Sequence, residues 1–183
     1  MNINVKQLTV RALLQRSFDE YADLPALSVV GEKPFTYMQV RERAVETAMM
    51  LLKRGVKKGE KVVILGENSP NWVIAYCAIE YIGAVAVPIL TGFPESDVRH
   101  IIRHSESVAA FVAEKHMDSV EEIDKSSLHT IYTLEDFTEK ELKQNSAKEL
   151  EKHIQSFLKQ KGRKPKEEDL LEHYKPEDRK SVV

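Results

Sequence analysis

The chain has 183 residues, 42% of them hydrophobic, which is enough for one domain with a sizeable core. Charged residues make up 31% but nearly cancel, to a formal net charge of -2, so the global balance attracts neither nucleic acid nor an acidic membrane surface. The single cysteine, Cys77, excludes an intramolecular disulfide and a four-cysteine zinc site, and it fits a reducing, cytoplasmic setting.

Residues 1–7 show no basic head followed by an apolar run, so no secretory signal is expected. Val10, Leu13, Leu14, Phe18 and Tyr21 recur at helical spacing and predict a helix opened by Thr9 as its N-cap. Asp23, Leu24 and Pro25 end it. Residues 26–30 read as a short strand, followed by a turn at Gly31, Glu32, Lys33 and Pro34. Phe35-Thr36-Tyr37-Met38-Gln39-Val40 then spells a helix start: Thr36 caps the backbone, Gln39 reaches back to it, and Phe35 staples against Val40. This helix carries Val40, Ala44, Ala48, Leu51 and Leu52 on its apolar side and Arg41, Glu42 and Glu46 outside. Gly55 supplies the left-handed position that ends it.

Residues 62–65 are consecutive β-favouring apolar residues, the pattern of a parallel strand covered on both faces. Ser69 as N-cap and Pro70 at the first helical position open the next helix. It is apolar nearly all round from 72 to 82, so burial is expected, and Gly83 ends it. Residues 84–89 form the following strand. Glu80, Gly83 and Pro88 interrupt the stretch 72–90, which therefore reads as a buried helix and strand rather than a membrane span. Val98, Ile101 and Ile102 stripe a further helix, and residues 107–113 form another buried strand. The alternation gives the fold class: α/β, with a mainly parallel sheet flanked by helices.

Past Glu114 the composition changes. Residues 129–134 offer one more strand, and charges dominate beyond it, which divides the chain into an α/β subdomain, 1–134, and a charged helical or linker segment, 135–183. In the second part Ser146 and Glu149 form another capping box, ahead of Leu150, Ile154, Phe157 and Leu158 and a stop at Gly162. Pro165 opens a second short helix with Glu167, Glu168 and Asp169 in its first turn.

Few residues carry chemistry on their own. A backbone phosphate cradle needs closely spaced glycines, and only Gly55 and Gly59 lie within five residues of each other, at what reads as a helix-to-strand turn. His100, His104 and Asp97 share one side of a helix, but the zinc-protease pattern is absent and Arg99 and Arg103 crowd the neighbourhood, so a solvated helix face is the reading and no metal site is assigned. Cys77 sits mid-helix among Ile74, Ala75, Ala78 and Ile79 and reads as a core thiol. Lys159, Lys161, Arg163, Lys164 and Lys166 form a basic run that suits a helix C-terminus, with lipid head groups or nucleic acid as other takers. Asn68 and Trp72 lie at the C-terminal end of a parallel strand and the start of the next helix, where open α/β sheets bind ligands. They are the substrate-adjacent candidates, although Trp72 also suits the core.

The series Phe35-Thr36-Tyr37, Gly55-Val56-Lys57-Lys58-Gly59-Glu60-Lys61-Val62, Asn68-Ser69-Pro70-Asn71-Trp72 and Gly83-Ala84-Val85-Ala86-Val87-Pro88 resembles the opening of the adenylate-forming (AMP-binding) enzymes, most of all the long-chain fatty acid-CoA ligases. The likeness covers residues 10–113 in order and spacing. It implies the N-terminal domain of the adenylate-forming fold and, for a full-length parent, a ligase that activates a fatty acid with ATP and Mg2+ to an acyl-adenylate. Coenzyme A then displaces AMP. The family's Ser/Thr/Gly-rich phosphate loop, its Tyr-Gly-x-Thr-Glu segment, its ribose-binding aspartate and its C-terminal lysine have no matching position here. Lys175-Pro176-Glu177-Asp178 resembles the approach to that loop.

The resemblance therefore implies an N-terminal fragment, inactive alone, with no catalytic residue and no bound cofactor of its own. Fatty acid is the expected substrate of the parent; nucleic acid is not an expected partner, and association at a membrane surface is left open. An interrupted sheet exposes an apolar edge or face, so self-association is expected. A stand-alone protein-interaction module and a small flavodoxin-like ligand-binding protein remain open alternatives.

Overall fold

The computed structural model describes residues 9–121, 123 and 128–140. The chain divides into two compact units, residues 1–142 and 143–183, and every described residue belongs to the first. The second capping box, the helices expected after Ser146 and Pro165, the basic run and the Lys175–Asp178 motif lie outside the described residues.

Helix α1, Val10–Glu20, begins where Thr9 accepts the Ala12 N–H at 3.1 Å. Strands β1, Pro25–Leu27, and β2, Phe35–Thr36, form a small antiparallel sheet. The strand expected over 26–30 is thus cut short: beyond Leu27 no partner is paired, Val30 is fully exposed, and Gly31 turns the chain with φ 86°. Thr36 also caps helix α2, Tyr37–Lys53, and both halves of the capping box with Gln39 are formed. Gly55, at φ 83°, takes the left-handed position after it.

The main sheet has the order β4-β3-β5-β6-β7. Its strands are β3, Lys61–Leu65; β4, Val85–Ile89; β5, Ala109–Val112; β6, Thr130–Thr133; and β7, Glu139–Lys140. The first four run parallel and β7 is antiparallel to β6. Helix α3, Pro70–Tyr81, connects β3 to β4, and α4, Glu95–Ser105, connects β4 to β5. After β5 come a 3-10 turn, Glu114–His116, and a short helix α5, Asp118–Glu121. Strand β7 lies past residue 134, where the sequence divides by composition. It is held by charge rather than apolar burial: Glu139 accepts from Arg54 Nε at 3.0 Å, and Lys140 faces Glu114 at 3.5 Å.

Alternate residues of β3 feed opposite layers, as a pleated strand requires. Val62 and Ile64 pack with Phe111, Tyr132, Leu51 of α2 and Ala75 and Ile79 of α3. Val63 and Leu65 pack with Val112, Ile131 and Val98 and Ile102 of α4. A third cluster joins the helices themselves through Phe18, Val40, Ala44, Ile74 and Cys77. Each large apolar side chain fully buried in these layers contributes about 1.5–3 kcal/mol. Leu52 does not share the buried side of α2: Leu51, one residue and about 100° earlier, takes that place, and Leu52 is 53% exposed. Among the described residues no helix is long and apolar enough to cross a membrane.

Candidate functional site

The C-terminal ends of β3, β5 and β6 converge on a cavity of about 370 Å³. This is the side on which open parallel sheets bind ligands. Three connecting segments line one side of it, each fixed by contacts distant in sequence, and Val29, Glu32, Phe35 and Arg43 line the other.

After β3 the chain passes through Gly66 and Glu67 to Ser69, whose hydroxyl accepts the Trp72 N–H at 3.1 Å and starts α3, with Pro70 at its first turn. Space favours Gly66 here: a Cβ would stand 2.5 Å from Leu134 Cδ1 and 3.1 Å from Ala113 Cβ, so the Leu134 side chain would have to shift. Asn71 then spends its amide on two carbonyls past β6, donating to Leu134 O at 2.8 Å and Glu135 O at 2.7 Å. The Glu135 carboxylate in turn accepts the N–H of Glu114, at 3.1 and 3.2 Å, and so holds the turn after β5. That turn closes the circuit, because Lys115 Nζ lies 2.5 Å and His116 Nε2 3.2 Å from Glu67 Oε1. The loops after β3, β5 and β6 are thereby linked in a ring around the cavity.

Electrostatics follow from these partners. The hydrogen bond from Lys115, with a smaller one from His116, holds the Glu67 carboxyl at about 2. Asp136, beside the cavity's Glu135, is likewise lowered to about 2 by the Thr133 hydroxyl and the Thr138 backbone. Phe35 forms an apolar wall with the Arg43 guanidinium 4.6 Å over its ring, while Glu32, Glu67 and Glu135 line the same space. Remote from it, burial and then nearby Glu80 push the Cys77 thiol up to about 11, which keeps it protonated and unreactive.

The two residues singled out by sequence lie at this edge of the sheet without lining the cavity. Asn68 is exposed in the loop. Trp72 is half-buried, stacked on Tyr76 at 5.8 Å and 7°, and packed against the cluster over β3 and β5. The residue between them that does line the cavity, Asn71, was not singled out. Its signal was there: asparagine is a poor helix former, and at the second position of a helix opened by Ser-Pro its amide needs a partner elsewhere. His100 and His104 stack on each other at 5.8 Å on the exposed face of α4. Among the described residues no three ligating side chains are grouped to hold a metal ion.

The family described as AMP-binding enzyme matches residues 14–172. The 4-hydroxybutyrate-CoA ligase 2 of Metallosphaera sedula is 25% identical over 158 residues, which cover 86% of this chain and 29% of that protein. The medium/long-chain-fatty-acid-CoA/3-oxocholest-4-en-26-oate-CoA ligase of Mycobacterium marinum is 28% identical over 136 residues, covering 73% and 24%. The solved anthranilate CoA ligase AuaEII, in complex with anthranoyl-AMP, superposes with a TM-score of 0.65 at 25% identity, over 80% of this chain and 28% of that one. The chain thus spans less than a third of the length of these relatives.

The described cavity does not fit the phosphates of the ATP that enzymes of this family use. Three carboxylates, Glu32, Glu67 and Glu135, line it against one cation, Arg43, and the Asn71 amide and the neighbouring Glu114 N–H, which could have donated to phosphate, are already engaged. The residues present build a wall and not a phosphate cradle.

Proposed function

The chain belongs to the AMP-binding enzyme family, and from that premise we propose that it forms the N-terminal scaffold of an ATP-dependent acyl-CoA ligase. The reaction of the whole enzyme would join a carboxylic acid to coenzyme A through an acyl-adenylate, with release of pyrophosphate and AMP. Within it, residues 9–140 would contribute the first parallel strands of the domain and the ring of loops at their C-terminal ends. The observation that carries this reading is the combination of a family match over 14–172 with a strand-end cavity whose charges are unsuited to phosphate. Binding of ATP and Mg2+ is accordingly assigned to other parts of such an enzyme, and the unit alone is expected to be catalytically silent.

Long-chain fatty acid is the substrate class we favour, on the resemblance of the motif series and on the name of the Mycobacterium marinum relative. The Metallosphaera sedula relative is named for a short hydroxy acid, so chain length is the property to measure. The test is thioester formation by this chain joined to the remaining portion of a fatty acid-CoA ligase, over acids from four to eighteen carbons, with ATP, Mg2+ and coenzyme A. Turnover rising with chain length supports the assignment. Turnover confined to short hydroxy acids overturns the substrate class, and no turnover with any acid counts against the scaffold.

A further inference from the structure

Among the described residues, both edges of the main sheet are poor templates for strand addition. Val85 donates its N–H to Glu60 O at 2.8 Å, which turns alternate residues of β4 toward β3 and leaves Ala86 and Pro88 facing outward. Pro88 has no N–H to offer, a recurrent protection of edge strands. The opposite edge, β7, is two charged residues long, with Glu139 and Lys140 each engaged by a neighbour. Of the apolar edge or face expected from the sequence, a face is therefore the better candidate for attaching a second molecule.

One uncovered apolar stripe, among other exposed apolar residues, runs along α2. Val40, Ala44, Thr47, Ala48 and Leu51 face the core. On the other side stand Met38, Glu42, Val45, Met49 and Leu52, at successive spacings of four, three, four and three, which is the seam of a coiled coil. Met38 is 37% exposed, Met49 and Leu52 are each 53% exposed, and Val45 is half-buried. Glu42, the one charged residue of the seam, and Lys53 beside it lie on the same flank, both exposed and without an ion-pair partner among the described residues.

We propose that this seam joins two copies of the chain, α2 packing antiparallel on α2 of the second copy about a two-fold axis. A two-fold contact demands a surface that complements itself, and the charges meet that demand. With the axis level with Thr47, Met49 of one copy meets Val45 of the other, and Leu52 covers the aliphatic stem of Glu42. Lys53 then reaches the carboxylate of Glu42 in the second copy, and the pair occurs twice. A parallel arrangement would instead set Glu42 against Glu42 and Lys53 against Lys53. The paired part of the seam, from Glu42 to Leu52, is about 15 Å long, short of the area that a permanent dimer buries, so the dissociation constant is expected on the order of 10–100 µM.

Sedimentation velocity of the full chain from low to high micromolar concentration tests this. The expected result is a reversible monomer–dimer equilibrium, weakened at least about tenfold by Lys53→Glu, which sets like charges together. The double exchange Glu42→Lys with Lys53→Glu should restore it, and Met49→Glu should abolish it. Because all three positions are exposed, circular dichroism should show each variant folded. A monomer at every concentration, or a dimer indifferent to these changes, would overturn the proposal.

Discussion

The side-chain amide of Asn71 donates to the main-chain carbonyl of Leu134 at 2.8 Å and so ties the first turn of α3 to the end of β6, 63 residues later. Its second bond, to Glu135 O, completes the use of both amide protons. Asn71→Ala leaves two carbonyls without these donors and should lower stability by about 1–3 kcal/mol. Asn71→Asp should be worse, since an ionised carboxylate has no proton to give. Urea unfolding measures both, and an unchanged midpoint in the alanine variant would mean that this link is not maintained in solution.

Gly66 and Leu134 meet at the same corner. An added methyl group at 66 would lie 2.5 Å from Leu134 Cδ1, so Gly66→Ala should cost about 1–3 kcal/mol through overpacking. Shortening the neighbour, as Gly66→Ala with Leu134→Val, should recover part of that loss. If the double variant is no more stable than the single one, the clash is not the cause.

The lowered carboxyls set an acid limit. Glu67 and Asp136 both sit at about 2 when folded, below their unfolded values near 4. Their contribution is therefore present above about pH 4.5 and is lost as pH falls from there toward 2. Glu67→Gln should flatten this part of the stability-against-pH curve while leaving the decline due to Asp136. Equal acid slopes in wild type and variant would contradict the contacts of Lys115 and His116 with Glu67.

Cys77 should behave as a buried thiol. It is 4% exposed and its ionisation is pushed up to about 11, so a thiol reagent at pH 8 should leave the native chain unlabelled for as long as it stays folded. Denaturant should release one reactive thiol per chain. Rapid labelling without denaturant would show that the layer joining α1, α2 and α3 opens readily.

Local signals in the sequence were sufficient for most elements. Thr36 with Gln39, Ser69 with Pro70, and Gly55 and Gly83 mark helix ends through bonds within a few residues, and all are found as read. What escaped depends on contacts far apart in the chain. Leu51 and Leu52 are equally apolar, and only the position of α3 decides which is buried. Strand β7 has no apolar pattern and exists because Arg54 and Glu114 hold its two charges. The cavity escaped for the same reason: Glu67, Asn71, Glu114 and Glu135 are ordinary polar residues until the topology brings them together, whereas Trp72 drew notice by its type.

The central proposal is that this chain serves as scaffold for acyl activation and is silent alone. ATP–pyrophosphate exchange in the presence of Mg2+ and a long-chain fatty acid measures that step directly, with the chain alone compared with the chain joined to the remaining portion of a ligase. Exchange is expected only in the joined protein. Exchange catalysed by the isolated chain would contradict the account.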